Sequence, residues 1–310
     1  MSAHESVFAT TPAEFLAAYS PQRYPIVDPV VPRAAFLVAP QGFSLAAESA
    51  ADNRYMAMTQ STEPARALTE HAQLAASLRE SLPVIVFPGD ASTPDAVFPN
   101  NVFATVNGRL IVGAMRHEVR RREAERADIR AAFVDLFGYE IVDLSTMPLV
   151  AELTGSLAID RGRRIGFCGL SERCDLAGAR ALHEAFGMRL TFCFELAGGE
   201  YHTNVVLAQL ASRAAIIVPE GFADPAAAAA IATVYAPQTL MLDSTQKKAF
   251  AGNAIALDER HVWMSARAAA SLHTEQRAAL ASWGFELRSV DLAEIEKAGG
   301  SLRCCVGEIF

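Results

Sequence analysis

The sequence predicts an α/β fold built from five consecutive hairpin–helix–strand repeats around a central axis. Two observations carry this expectation. The same succession of apolar patterns, alternating for a hairpin, helix-spaced, then alternating again, recurs along the 310 residues. The residues at which each short strand hands over to the next hairpin, Asn101, Glu152, His202, Asn253 and Cys304, lie 51, 50, 51 and 51 positions apart. Equivalent points of a closed ring of repeats meet on its axis, so these distant residues should share one pocket.

The first complete unit opens with "NVFATVNGRLIVGAM", where alternating runs flank Asn107-Gly108, a dipeptide suited to a type I′ turn. The helical "EVRRREAERADIRAAFVDLFG" follows, stopped by Gly138, and then the strand "YEIVDL". A second unit reads "GSLAIDRGRRIGFCG", turning near Arg161-Gly162, then "SERCDLAGARALHEAFG" and "MRLTFCFEL". The third is "TNVVLAQLASRAAIIVP", "DPAAAAAIATVYA" and "TLMLD"; the fourth is "GNAIALDERHVWMSA", "ARAAASLHTEQRAALASWG" and "FELRSVDL". The fifth is split across the termini. Its strand "SLRCCVGEIF" comes from the chain end, and "AAFLVAP", a helix around "EPARALTEHAQLAASLRE" and "LPVIVFPG" come from the start. Pairing last with first closes the ring and covers exposed sheet edges. We treat residues 1–310 as one domain with 1–32 as an N-terminal extension.

Hydrophobic residues make up 51% of the chain and charged ones 20%, enough apolar material for a large core and too little charge for disorder. No apolar run approaches a membrane span, and the start "MSAHESVFATTPAEF" has neither the basic nor the apolar region of a signal peptide. A soluble cytoplasmic protein is expected, with no membrane partner. The cysteines are five and show no CxxC pair, which speaks for reduced thiols and against disulfides or a metal site. A net charge of −8, with no basic run beyond "RHEVRRRE", excludes nucleic acid as the expected partner and favours a cationic small molecule. A homo-oligomer stays open.

Several residues invite a chemical reading. Neighbours in a strand point to opposite faces, so only one of Cys304 and Cys305 can face the axis. The repeat arithmetic selects Cys304, leaving Cys305, Cys168, Cys174 and Cys193 as small core residues. A lone histidine is usually structural, but the place of His202 in the repeat points to acid/base work, and Glu152 is its candidate partner. Asn101 and Asn253 suit either turns or the pocket. "RHEVRRREAER" reads as a charged helix face in which one arginine is a candidate for a substrate carboxylate. Gly198, Gly199, Gly299 and Gly300 suit loop flexibility or close approach to substrate rather than a phosphate cradle, since no GxGxxG follows a strand.

The segments "PDAVFPNN", "AELTGS", "LSERCD", "EYHTNVV", "FAGN" and "GGSLRC", in this order and spacing, resemble the guanidino-group-modifying enzymes: arginine deiminase, dimethylarginine dimethylaminohydrolase, agmatine deiminase, succinylarginine dihydrolase and the amidinotransferases. The resemblance runs from about residue 33 to 310 and is nearest to the arginine-deiminase-related branch of citrulline-utilisation hydrolases. It implies a five-bladed α/β propeller with Cys304 as nucleophile, His202 as acid/base and Glu152 as its glutamate. It further implies that Asp95, Phe98 and Arg173 line the substrate pocket and that Arg120 or, as we assign it, Arg121 binds a carboxylate. Asn100-Asn101 and Asn204 depart from the acidic residues of arginine-specific relatives. Because carboxylates clamp a guanidinium through paired charge-assisted hydrogen bonds, this departure points to a less cationic head group, with Asn100, Asn101, Asn204 and Asn253 at the substrate.

A guanidinium carbon is a poor electrophile, and a thiolate with a histidine supplies both nucleophile and proton donor, with no metal or organic cofactor. The leading expectation is therefore a hydrolase of C–N bonds in a guanidino or ureido compound. An amidinotransferase, and a non-catalytic ligand-binding ring, are the alternatives.

Overall fold

The computed structural model of the protein describes residues 6–310. Its strands form five separate sheets of one plan: an antiparallel hairpin whose second strand pairs in parallel with a third strand after an intervening helical segment. The hairpin Phe103–Val106 and Arg109–Val112 turns through Asn107 and Gly108, both at positive φ (48° and 73°), and Glu140–Asp143 joins in parallel. The next sheet holds Leu157–Asp160, Ile165–Leu170 and Leu190–Glu195, and the third Leu207–Leu210, Ala214–Ile217 and Thr239–Met241. Ile255–Ala256, His261–Ser265 and Glu286–Val290 make the fourth. The hairpin-first reading of each repeat matches these sheets in order.

The fifth sheet joins the chain ends. Gly307–Ile309 pairs antiparallel with Ala34–Val38 (Gly307 opposite Phe36), which pairs in parallel with Val84–Phe87. This pairing completes one sheet only; the five sheets stay separate and none closes on itself. Their first strands pack side by side, Gly307–Ile309 on Phe103–Val106 and Leu207–Leu210 on both Leu157–Asp160 and Ile255–Ala256.

Three expectations need correction. The predicted strand over "SLRCCVGEIF" shrinks to Gly307–Ile309, because Leu302–Cys305 winds into a 3-10 turn with the Cys304 amide donating to Ser301 O (3.0 Å). The strand argument about Cys304 and Cys305 therefore does not apply. The single helix predicted over 118–138 divides into Glu118–Ala124 and Ala127–Ala131, continued by a π turn Ala132–Leu136, because Arg126 leaves helical geometry (ψ 98°) to reach Asp128 and Pro88 O. The N-terminal extension, whose first five residues lie outside the described ones, is built into the fold. Val7–Ala9 adds a fourth strand beside Leu190–Glu195, and the helix Pro12–Ala18, with its Thr11/Glu14 capping box, buries Phe15 in stacking contact with Phe192 (centroids 4.9 Å). Phe15→Ala is accordingly expected to cost about 3–5 kcal/mol in urea denaturation, a value that a loosely attached arm would not reach. Among the described residues no helix is long and apolar enough to cross a membrane.

Candidate active site

Asn101, Glu152, His202, Asn253 and Cys304 each stand just ahead of the first strand of a sheet, on or beside a short turn. One tight turn before a strand swings the side chain inward, and successive turns are tied together. Asn253 Nδ2 donates to Asn204 O (2.8 Å), Asn204 Nδ2 to Thr154 O (3.2 Å), and Thr154 Oγ1 to Asn100 O (3.0 Å), so a chain of buried hydrogen bonds runs across four of the sheets' entrances. These bonds occupy backbone carbonyls that would otherwise be buried without a donor.

Cys304 ends this chain. Its Sγ accepts from Asn253 Nδ2 at 3.3 Å and faces Asn204 Oδ1 at 3.7 Å, with the residue 1% exposed. Burial pushes the thiol above its ordinary value, against the opposing pull of the Ser301 amide region and the Asn253 amide. The thiol opens into a narrow pocket that it shares with Asp95, Phe98, Asn101, Arg120, Arg173 and Tyr201. Gly300 lines the same pocket, and an added Cβ there would meet the Phe98 ring at 2.7 Å, so backbone and ring are in direct contact.

His202 and Glu152 are completely buried, His202 beside Asn101 at Gly155, and neither is among the residues that line this pocket. His202 Nε2 meets Glu152 Oε2 at 2.9 Å, leaving Nδ1 without a partner among the described residues. Burial lowers the imidazole, and the Glu152 carboxylate opposes that fall. Burial alone would raise Glu152, but Arg173, the His202 hydrogen bond and Arg120 outweigh it and hold the carboxyl well below the usual range. Gly155 makes this packing possible: a Cβ there would meet Asn101 Oδ1 at 2.4 Å and His202 Cε1 at 2.8 Å. Gly155→Ala is expected to cost about 1–3 kcal/mol in chemical denaturation by forcing these groups apart, whereas Gly198→Ala, with nothing within 4 Å of the added methyl, leaves the midpoint unchanged.

The remaining expected residues divide. Asp95 is buried, accepts from Ser49 Oγ at 2.5 Å, and keeps Oδ1 without a protein donor; burial raises its carboxyl against the pull of Arg120. Asn100 turns away to Thr154 Oγ1 (3.3 Å). Arg173 borders the pocket, yet its guanidinium is held by Asp52, Glu152 and Ser49 O. Arg121 corrects our assignment: it is largely exposed and donates to Met115 O and Arg116 O, because the adjoining helix face turns Arg120 inward instead. Arg120 donates to Phe98 O (3.0 Å) and pairs with buried Glu123 through two bonds of 2.9 Å; burial pushes Glu123 up to about 8, opposed by Arg120.

Sequence reasoning missed Asp52, Asn53 and Tyr201. Asp52 joins Arg173, Arg116 and His117, all distant in sequence, so nothing local marks it. Tyr201, in the quoted "EYHTNVV", stands beside His202 (centroids 4.5 Å) and donates to Gly299 O at 2.5 Å.

Residues 39–310 match the family model described as N,N dimethylarginine dimethylhydrolase, eukaryotic. The chain belongs to this family. The dimethylarginine dimethylhydrolase family sits within the guanidino-modifying superfamily that the sequence motifs resemble. This member is 22% identical over 237 residues to the uncharacterized protein YkgA of Bacillus subtilis (strain 168), covering 76% of this chain and 77% of that protein. The N-terminal domain of ArgZ, an arginine dihydrolase from the ornithine–ammonia cycle in cyanobacteria, solved with substrate bound, has a similar fold (TM-score 0.77, 19% identity, 89% of this chain and 97% of that one). Of the ArgZ chain solved in its apo form this chain covers 40% (TM-score 0.78, 20% identity). A dimethylarginine dimethylaminohydrolase, solved as an adduct with 4-chloro-2-hydroxymethylpyridine, also shares the fold (TM-score 0.68, 19% identity, 89% and 99% covered).

Proposed function

We propose that this chain is a cysteine-dependent hydrolase of C–N bonds in a guanidino compound, acting through a covalent intermediate on Cys304. One observation carries the reading. Asp95 and Asn101 line the pocket of the buried thiol and Asn253 touches its sulfur, and the Oδ1 atom of each has no donor among the described residues; His202, beside Asn101 at Gly155, likewise has Nδ1 without a partner. A guanidinium brings N–H donors and one positive charge to such a set. We also read the five sheets as blades of a propeller with this pocket on its axis; the side-by-side first strands and the hydrogen-bond chain from Asn253 to Asn100 support that reading.

The steps follow from the groups. The substrate's charge beside Cys304 favours the thiolate that burial otherwise disfavours. His202 Nδ1 takes the proton of the Cys304 thiol, the sulfur attacks the guanidinium carbon, and the imidazolium passes that proton to the departing nitrogen as the C–N bond breaks, leaving an amidino thioether on Cys304. Water, losing a proton to His202, attacks the same carbon; the C–S bond breaks, the imidazolium returns the proton to the sulfur, and a ureido product leaves. Glu152 holds the imidazole in place from its other nitrogen. Asp95 is one carboxylate beside neutral amides, which suits a head group of single charge.

With Cys304 raised and His202 lowered, the free protein holds a neutral thiol and a neutral imidazole at pH 7. Iodoacetamide alkylation of Cys304 is expected to accelerate about tenfold per pH unit up to the ordinary thiol value of 9.0 without levelling. A plateau near pH 6 would instead reveal a preformed thiolate–imidazolium pair.

The function is tested with arginine, methylated and acylated arginines, agmatine and citrulline, scored for ammonia or amine release with Cys304→Ala as the blank. Release by the parent chain alone supports the hydrolase. No release from any compound, or transfer of the amidino group to an added amine, overturns it.

A further inference from the structure

A second pocket opens at the opposite end of the strands from Cys304. Asn101 and Glu152 precede the strands Phe103–Val106 and Leu157–Asp160, whereas Asn107, Gly108 and Arg161, which line this pocket, follow them. Its volume is about 400 Å³, within the range of pockets that hold small organic ligands.

Arg161 is its unusual member. The residue is 7% exposed, and its guanidinium lies against the rings of Phe310 (4.3 Å to the centroid) and Phe186 (5.4 Å). Among the described residues only Nη1 of its donors is hydrogen-bonded, to Thr105 O at 3.0 Å; Nη2 stands 3.8 Å from Glu308 Oε2, beyond a hydrogen bond. That carboxylate is already engaged by Arg303 Nη2 at 2.9 Å. Two guanidinium groups thus share one carboxylate, and the cluster keeps a positive charge out of water. Burial pushes Arg161 down to about 10, with Glu308 opposing and Arg303 adding to the fall. The other arginines of the pocket differ: Arg164 forms a two-pronged pair with Asp28, and Arg33 is exposed and donates through Nη2 to Tyr139 Oη and Phe310 O. Nothing in the Cys304 chemistry uses Arg161.

A buried cation with donors to spare calls for an anion, and the planar edge of a guanidinium matches a carboxylate's two oxygens. The surroundings are apolar. We propose that this pocket binds a monocarboxylate with an apolar body, its carboxylate on Arg161 and its body against Val31, Val106, Phe186, Met188 and Phe310. A dianion is less well served, since Arg161 is the buried guanidinium of the pocket: Arg33 is exposed and Arg164 is paired with Asp28.

The test is titration calorimetry of the full chain with octanoate, octanol and octylamine. One octanoate per chain is expected, with octanol and octylamine at least about tenfold weaker, because a charge-assisted pair contributes roughly that factor or more. Arg161→Met should weaken octanoate at least about tenfold by the same argument, while haloacetamidine labelling of Cys304 proceeds at the parent rate. If Arg161→Met does not fold, Val31→Trp fills the pocket with the arginine retained and should abolish binding. The proposal is overturned if octanol binds as well as octanoate, if octanoate binding survives either substitution, or if octanoate protects Cys304 from labelling.

Discussion

Cys304→Ala should reduce turnover of any guanidino substrate by at least about a thousandfold, because the covalent route disappears with the nucleophile. The fold should survive. Losing a buried sulfur next to Asn253 and Asn204 removes one acceptor and leaves a small void, a change of about 1–2 kcal/mol read from the urea midpoint. The discriminating comparison is between activity and binding: if the parent turns over a guanidino compound and the alanine variant retains its affinity but not its chemistry, Cys304 acts on substrate and does not merely pack. Peptide mass spectrometry after haloacetamidine treatment must place the adduct on the peptide carrying Cys304. An adduct on Cys168, Cys174 or Cys193, which are buried away from the pocket, would remove the assignment.

Glu152→Gln is expected to damage stability and catalysis together. The carboxylate is fully buried, pairs with Arg173 at 3.2 Å and holds His202 at 2.9 Å, so neutralising it leaves Arg173 with Asp52 as its remaining ionic partner. Removing one member of a buried pair costs about 3–5 kcal/mol; with Asp52 retained we expect the lower end of that range. The pH dependence gives the sign. Glu152 in the fold lies below its ordinary value of 4.5, so its contribution is complete above that pH and fades as acid titrates the folded carboxylate. The stability gap between parent and Glu152→Gln should therefore be constant near neutrality and narrow below about pH 4.5. Turnover should fall by about a hundredfold, the scale of acid/base assistance, because the amide no longer fixes or balances the imidazole. A variant with parental stability but lost turnover would mean that Glu152 meets substrate rather than His202.

The repeat pattern made the five sheets legible because strand and helix periods are local properties of the chain. The even spacing likewise located Asn101, Glu152, His202, Asn253 and Cys304, since each repeat presents its turn at the same place. Where a choice depended on helix phase, reading failed: Arg120 and Arg121 are adjacent and chemically alike, and only the packing of Glu118–Ala124 decided that Arg120 turns inward to Glu123 and Phe98 O. The turn at Leu302–Cys305 was equally hidden, because apolar residues before a strand read as more strand.

By itself, then, the sequence determined the order of the elements, the joining of chain end to chain start, and which residue types stand at each sheet's entrance. Tertiary structure decided how their charges pair. Asp52 reaches Arg173 across 121 positions, Arg173 reaches Glu152, and Glu152 reaches His202, so the state of the candidate acid/base group is set by contacts between segments far apart in the chain. Local patterns encode backbone geometry, but a buried charge is balanced by whatever the fold brings within a few ångströms of it.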